Sequence, residues 1–194
     1  MGIPTVFVRL TGCPLRCQYC DTAYAFSGGS IKPFGEIIDQ IKSYQTKYVT
    51  ITGGEPLAQK NCIALMEQLC DQGFSVSLET SGALDISKVD QRVNKVVDLK
   101  TPGSQEEEKN LYENLQFIDQ KDEIKFVICD RNDYEWAKGI MDKHQLAVRC
   151  EILFSPVADE IKAADLAGWI LEDRLAVRFQ VQLHKLLWDD GPGR

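Results

Sequence analysis

The run Val6-Phe7-Val8-Arg9-Leu10-Thr11-Gly12-Cys13-Pro14-Leu15-Arg16-Cys17-Gln18-Tyr19-Cys20-Asp21-Thr22 places a short alternating strand directly before three cysteines. Their C-x3-C-x2-C spacing brings three sulfur atoms into one loop, where they can converge on a metal. A closed zinc site or an ordinary iron–sulfur cluster takes four protein ligands. Because no fourth cysteine or histidine lies nearby in the sequence, the loop indicates a cluster with one iron left open for another molecule.

The composition is that of a globular chain that acts on a small molecule. At 194 residues it suits one domain with a sizeable core, so residues 1–194 are predicted to form a single domain. The 29 acidic residues outnumber the 22 basic ones, whereas a nucleic-acid backbone or an anionic membrane needs a basic face. The seven cysteines come without a signal-peptide pattern, which indicates reduced thiols. We therefore expect a cytoplasmic protein with no nucleic-acid or membrane partner.

Strands that alternate with helices make up most of the chain. Apolar and β-branched alternation predicts seven strands, and helical periodicity predicts helices between them. This order is typical of crossover units in a parallel sheet. Seven strands are too few for an eight-stranded barrel, so the sequence predicts an α/β fold with a partial parallel barrel or an open sheet. The predicted strands are 5–10, 48–52, 74–79, 95–99, 123–128, 147–154 and 176–183, and the predicted helices include 106–116, 132–144 with Asn132 as its cap, and 165–172.

Four polar segments follow predicted strands at their carboxyl ends. They are the cysteine loop, Gly53-Gly54-Glu55-Pro56, Glu79-Thr80-Ser81-Gly82, and the Asp-Leu-Lys-Thr-Pro-Gly run at 98–103. Parallel α/β folds place their active sites at this end of the strands, which we call the rim. Adjacent glycines let a ligand approach the backbone, Glu55 offers an acceptor for an ammonium group, and Lys100 can neutralise a carboxylate.

Each of these features has a plainer alternative. The three cysteines could form a structural zinc knuckle that a distant ligand completes. The segment 53–56 could be a simple turn into a helix. Asp21 and Thr22 offer oxygen ligands for Mg²⁺ but are also common capping residues, and His184 is either a rim residue or a surface histidine. The remaining cysteines are interpreted as core residues: Cys62, Cys70, Cys129 and Cys150.

Together, the cysteine spacing, Tyr19 before the third cysteine and the segment 53–56 resemble the radical S-adenosylmethionine (SAM) enzymes. In that superfamily three cysteines hold a [4Fe-4S] cluster, and SAM chelates the fourth iron. Segments 3–10, 20–22, 79–82 and 182–185 resemble the 7-carboxy-7-deazaguanine synthase family, and the match covers nearly the whole chain. The resemblance implies a partial (β/α) barrel of the radical SAM type. It also implies conversion of 6-carboxy-5,6,7,8-tetrahydropterin into 7-carboxy-7-deazaguanine with loss of ammonia, in queuosine and 7-deazapurine biosynthesis.

The resemblance further implies roles for individual residues. The implied catalytic residues are the cluster ligands Cys13, Cys17 and Cys20, and the implied Mg²⁺ ligand is Thr22. The implied SAM contacts are Tyr19, Cys20, Asp21, Gly54, Glu55, Asp98, Leu99 and Lys100, and the implied pterin contacts are Arg9, Thr52 and His184. The implied partners are the small-molecule pterin, an external electron donor and a second copy of the chain in a homodimer.

One segment of the family is expected to be missing from this sequence. The family carries an N-terminal segment with a substrate-binding Gln-Gly-Glu turn before the first strand, whereas Met1 lies almost on that strand. The expectation is a radical SAM core domain whose start is either truncated or, in this member of the family, made without that turn. Two other functions stay open: another small radical SAM enzyme, such as a glycyl-radical-enzyme activase that needs a protein-docking surface, and a non-catalytic iron–sulfur or zinc module.

Overall fold

The seven predicted strands lie in one parallel sheet, in the order of the sequence. A computed structural model describes residues 2–188, apart from the side chains of His184, Leu186 and Trp188. Neighbouring strands are all parallel, and the sheet is open, with β1 and β7 at its two edges. This confirms the predicted single-domain α/β fold with a partial, barrel-like sheet. The strands are β1 (Val6–Leu10), β2 (Tyr48–Gly53), β3 (Ser75–Thr80), β4 (Asn94–Asp98), β5 (Glu123–Ile128), β6 (Glu151–Pro156) and β7 (Arg178–Phe179).

Helices connect four of the six strand pairs and cover one face of the sheet. They form where apolar residues recur every three or four positions, as in Ile38 and Ile41 of α1 or Leu65 and Leu69 of α2, all of which are buried. Within residues 2–188, none of the helices combines the length and apolar character needed to cross a membrane. The helices are α1 (Phe34–Ser43), α2 (Cys62–Asp71), α3 (Arg131–His144), α4 (Ala163–Glu172) and α5 (Leu183–Trp188).

The helix predicted at 106–116 does not form. Short 3-10 turns, Glu107–Lys109 and Tyr112–Phe117, occupy this region. Asn110 and Asn114 explain the difference, because their side chains bind distant backbone instead of facing solvent. Asn110 exchanges two hydrogen bonds of 2.8 Å with the backbone of Lys100, and Asn114 donates to the carbonyls of Gly82 and Leu84. Side chains that bind backbone groups in this way compete with helix formation.

Three other predicted element boundaries differ from those in the structure. The cap of α3 is Asp130, not Asn132, because the Asp130 carboxylate accepts a hydrogen bond from the backbone N–H of Asp133 at 2.9 Å. The strand predicted from 147 begins only at Glu151, since Leu146–Val148 form a 3-10 turn. The strand predicted at 176–183 shrinks to two residues at the sheet edge, and its last position already belongs to α5.

The core lies between the helices and the face of the sheet that they cover. On β5 and β6, Phe126 and Phe154 pair in register and their rings meet edge to face, with 5.6 Å between centroids. Tyr134 of α3 packs against Phe154 in the same way at 5.8 Å, and its hydroxyl donates to the carbonyl of Trp169 at 2.9 Å. These three aromatic side chains therefore join β5 and β6 to α3 and α4. The hydroxyl of Tyr134 has a hydrogen-bond partner, as a buried hydroxyl needs.

Alternation along the strands gives the opposite, concave face a polar lining. Val8 and Leu10 pack against the core, so Arg9 between them points to the other side. On β5, Ile124 and Phe126 are fully buried in the core, whereas Lys125 is partly exposed and reaches Glu79 across β4 at 3.9 Å. One face of the strands thus builds the core while the other stays open to polar ligands.

A buried carboxylate ties the rim end of β2 to that of β3. Glu55 has no solvent exposure, and its two oxygens accept hydrogen bonds from four donors. These donors are the N–H of Leu57 at 2.9 Å, the hydroxyl of Thr80 at 2.9 and 3.0 Å, and the N–H and hydroxyl of Ser81 at 2.7 and 2.6 Å. A carboxylate can be buried in this way because every lone pair that faces the protein has a donor.

We predict that Glu55→Gln destabilises the fold, since one carboxylate oxygen becomes an NH₂ group that faces donors instead of accepting from them. Leaving a buried donor unsatisfied costs about 1–3 kcal/mol. Urea unfolding of the variant and the parent protein measures the difference. The exposed Glu67→Gln on α2 is the matched control and should stay within about 0.5 kcal/mol of the parent. Equal free energies of unfolding for the two variants would contradict the role given to Glu55.

Candidate active site

The cysteine loop, residues 11–22, packs directly against the loop that follows β2. The N–H of Gly54 donates to the carbonyl of Leu10 at 3.1 Å, and the N–H of Glu55 donates to that of Gly12 at 2.7 Å. A Cβ on Gly54 would lie 2.3 Å from the Gly12 carbonyl oxygen, and one on Gly53 would lie 1.9 Å from that of Leu10. The two glycines were predicted to admit a ligand; in the structure they also admit the backbone of the cysteine loop.

The three cysteines are free thiols on this loop and are all half-buried. Burial raises the pKa of Cys13 and of Cys17, whereas the nearby Lys100 lowers both. Glu106 is among the groups that raise the pKa of Cys17. Among the side chains that the structure describes, no three histidine, cysteine or carboxylate groups are arranged to bind a single metal ion. The raised pKa keeps the thiols of Cys13 and Cys17 protonated in the metal-free chain, and a metal has to displace these protons when it binds.

A cavity of about 260 Å³ opens beside the cysteine loop, at the rim of the sheet. It joins the loop to the ends of β2, β4 and β5 and to the segment before α5. Several residues predicted for the site line this cavity, namely Cys17, Tyr19, Cys20, Asp21, Thr22, Gly54, Asp98 and Lys100. With Val157 and Glu160 after β6 also in the lining, residues from six parts of the sequence meet at one place, as the position of the polar segments at strand ends predicted.

An ion pair at the end of β4 forms the floor of the site. The Lys100 ammonium lies 2.7 Å from an oxygen of Asp98, and the two side chains are only 9% and 18% exposed. Burial alone would lower the pKa of Lys100, but Asp98, together with Tyr19 and Cys17, raises it above its ordinary range. Lys100 therefore keeps its positive charge next to the cysteine loop at any physiological pH.

Two buried polar atoms at the site have no partner among the described residues. They are the hydroxyl of Tyr19 and the second carboxylate oxygen of Asp98. Burial, followed by the charge of Asp98, raises the pKa of Tyr19, so this hydroxyl stays protonated and can donate. A buried donor and a buried acceptor without partners are costly, and both residues line the cavity. The site is therefore suited to a bound group that supplies an acceptor and a donor.

Asp21 and Thr22 form a small oxygen cluster at the mouth of the cavity. The Thr22 hydroxyl donates to one carboxylate oxygen of Asp21 at 2.7 Å, and the Gln182 side chain donates to the other. All three residues line the cavity. Their oxygens are hard ligands of the kind that Mg²⁺ prefers.

Other residues predicted for the site lie outside the cavity lining or differ in their contacts. Leu99 is buried in the core, which leaves only its backbone available at the rim. The Glu55 carboxylate, expected to accept from a ligand ammonium, is surrounded by its own four donors. Arg9 on β1 and Thr52 on β2 pair in register. The Arg9 guanidinium lies 5.6 Å from the centroid of the Tyr24 ring. Arg9 lines a second groove, beside β1, rather than the cavity. The side chain of His184 lies outside the described residues, although its backbone belongs to α5.

Lys125 and Gln182 are polar residues of the site that sequence reasoning missed. Lys125 lines the cavity and reaches Glu79 across β4, and Gln182 binds Asp21. The signal for Lys125 was present in the sequence, because Ile124 and Phe126 on either side of it face the core and alternation directs it to the concave face. No local pattern identifies Gln182, since its contact joins positions 161 residues apart.

Comparison with known proteins agrees with this geometry. The model of the Radical SAM superfamily matches residues 7–143. A 7-carboxy-7-deazaguanine synthase of Chlorobaculum tepidum is 40% identical over 97% of this chain and 87% of that protein. The same enzyme of Koribacter versatilis is 41% identical over 96% and 89% of the two chains, and that of Thermoplasma acidophilum 32% identical over 99% and 91%.

Solved structures agree at the level of the fold. SuiB of Streptococcus suis, solved with bound S-adenosylmethionine, superposes with a TM-score of 0.63 at 16% identity, over 92% of this chain and 46% of SuiB. The structure with its precursor peptide SuiA gives a TM-score of 0.66 at the same identity, over 92% and 48%. The chain spans about half the length of these solved chains. The radical SAM family implies a [4Fe-4S] cluster and SAM. The sequence identities of 40% and 41% over nearly the full length assign the chain to a narrower family within it: the chain belongs to the 7-carboxy-7-deazaguanine synthase family.

Proposed function

We propose that this protein is a radical SAM carbon–nitrogen lyase that converts 6-carboxy-5,6,7,8-tetrahydropterin into 7-carboxy-7-deazaguanine, with loss of ammonia, in queuosine biosynthesis. The observation that carries the proposal is the site itself. Free cysteine thiols, a buried ion pair and two unpartnered polar atoms meet around one cavity at the rim. The relatives that match nearly the whole chain bear the name of this activity.

The residues present fit a [4Fe-4S] cluster with SAM. Cys13, Cys17 and Cys20 would each hold a different iron, so their sulfurs need not surround a single point as the ligands of one ion do. The Tyr19 hydroxyl and the free oxygen of Asp98 would find partners on a bound nucleoside or amino acid. Held by these residues, the reduced cluster and SAM would supply the radical chemistry that starts the rearrangement of the pterin.

The protein's own contribution is orientation, charge and exclusion of water. The buried Lys100 keeps a positive charge beside the cluster loop and can balance a carboxylate or the thiolates. Gly54 allows close approach to the backbone, whereas Glu55 acts on SAM through its backbone, because its carboxylate holds Thr80 and Ser81 in place. The peptides at Leu99 and Asp21 complete the proposed SAM contacts.

For Mg²⁺ we propose Thr22 as the protein ligand, with Asp21 orienting its hydroxyl at 2.7 Å. A Mg²⁺ ion often keeps few protein ligands and completes its shell with water and substrate. There it would orient the pterin and stabilise charge during rearrangement. Arg9, Thr52 and His184 are proposed to contact the pterin from the concave side of the sheet.

The proposed partners are an external electron donor and a second copy of the chain in a homodimer. The donor follows from the chemistry, because a cluster held by the three cysteines would have to be reduced before it could cleave SAM. A cytoplasmic location, and the absence of nucleic-acid and membrane partners, remain predictions from the composition.

We predict that the anaerobically reconstituted protein, given SAM, a reductant, Mg²⁺ and carboxytetrahydropterin, forms the deazapurine product. Chromatography with mass detection would measure 7-carboxy-7-deazaguanine and 5′-deoxyadenosine. Cys17→Ala should abolish both, whereas Cys70→Ala, outside the site on α2, should retain activity. Deoxyadenosine without the deazapurine would favour another radical SAM enzyme, such as an activase. One zinc per chain and no labile sulfide would instead support a non-catalytic module.

We also predict that Thr22→Ala lowers turnover by about 10- to 100-fold, the range typical of changes at metal sites, while iron and sulfide content stays unchanged. The reason is that Thr22 lies beside the cluster loop but is not a cluster ligand. Excess Mg²⁺ should restore part of the loss. Thr5→Ala, at the far end of β1, serves as the control. Parallel losses of cluster and turnover in Thr22→Ala would contradict the metal role.

A further inference from the structure

The two peptides on either side of Cys17 are held by a loop from another strand. The N–H of Arg16 donates to the Glu106 carboxylate at 2.5 Å, and the N–H of Gln18 donates to the Ser104 carbonyl at 3.1 Å. The Gln105 side chain adds a bond of 2.7 Å to that of Gln18. These contacts join the middle cysteine of the site to the β4 loop, residues 99–110, about 90 positions further along the chain.

The β4 loop is itself anchored in the core. Its Ser104 hydroxyl donates to the Thr101 carbonyl at 2.6 Å and accepts from the N–H of Glu106 at 3.0 Å. The fully buried Asp133 of α3 accepts from the Thr101 hydroxyl at 2.9 Å and from the N–H of Gly103 at 2.8 Å. Glu106 therefore extends from a firmly bonded support.

We propose that Glu106 is a positioning residue for Cys17, which it acts on through the N–H of Arg16. The Arg16 guanidinium donates to the carbonyls of Cys13 and Leu15, at 2.8 and 2.6 Å. Both of these hydrogen bonds stay within the cysteine loop. They cannot fix that loop relative to the sheet. The Glu106 carboxylate is the side chain that connects the peptide before Cys17 to the β4 loop. This proposal rests on the cluster of the proposed function but needs neither substrate nor turnover.

Geometry and charge can be separated at this position. Glu106→Gln keeps an oxygen that accepts from Arg16 but removes the negative charge, whereas Glu106→Ala removes both. Because nearby charge shifts the potential of an iron–sulfur cluster, both variants should become easier to reduce. Only the alanine variant should release the Arg16 peptide. Glu106 is partly exposed, so neither change removes a core residue.

The test compares Glu106→Ala and Glu106→Gln with Glu108→Ala and Glu108→Gln. Glu108 is an exposed acid two residues away, and among the described residues it has no bond to the cysteine loop. Each protein is reconstituted anaerobically. Residue-resolved hydrogen exchange by mass spectrometry then measures the amide of Arg16, and electron paramagnetic resonance measures the reduced cluster.

We expect exchange at Arg16 to be at least about tenfold faster in Glu106→Ala, as the loss of a hydrogen bond to a charged group implies, and its cluster spectrum to change. Glu106→Gln should retain slow exchange and the parent spectrum, with a more positive reduction potential. Parent-like exchange and spectrum in Glu106→Ala would overturn the proposal, and so would an equal effect in Glu108→Ala. If the pterin assay fails while these differences hold, the proposed substrate is wrong and the positioning role stands.

Discussion

The arrangement of the site depends on the buried carboxylate of Glu55. Through four donors it links the end of β2 to Thr80 and Ser81 at the end of β3, while its own N–H binds Gly12 in the cysteine loop. A carboxylate without any exposure is stable only when donors replace the water that it loses. The donors come from the loop after β2 and from the end of β3, and the carbonyl that accepts from the Glu55 N–H belongs to the cysteine loop. The ends of β1, β2 and β3 therefore cannot shift independently, and the cysteine loop receives a fixed support.

The site next to this support contains a buried ion pair and buried polar atoms that lack hydrogen-bond partners among the described residues. Lys100 remains charged because the nearby Asp98 offsets the cost of burying its ammonium group. One Asp98 oxygen and the Tyr19 hydroxyl remain without partners among the described residues. Such groups are unfavourable in an isolated fold and favourable once a ligand binds them. The two unpartnered atoms lower the stability of the unliganded fold, and the same atoms can strengthen the binding of the cofactor that the radical SAM family uses.

The same strands serve the core and the site because side chains alternate between two faces. On β5, Ile124 and Phe126 join the core, whereas Lys125 lies between them on the concave side. The helices cover only one face, so the polar face stays available at the rim. This division explains how a chain of modest length has both a continuous core and a polar cavity.

The sequence alone was sufficient for the fold class, the family and the position of the cysteine loop at the rim, because strand alternation and cysteine spacing are local patterns. The seven parallel strands occur in the predicted order, although β6 and β7 are shorter than predicted, and the four polar segments follow strands as predicted. Tertiary structure decided the contacts that join distant segments. Asn110 and Asn114 bind distant backbone groups, and 3-10 turns form where a helix was predicted. The Glu55 carboxylate binds the end of β3 instead of staying free for a ligand. Glu106 binds the peptide before Cys17. The physical reason is that a polar side chain binds the partner that folding brings within about 3 Å, and local sequence does not specify that partner.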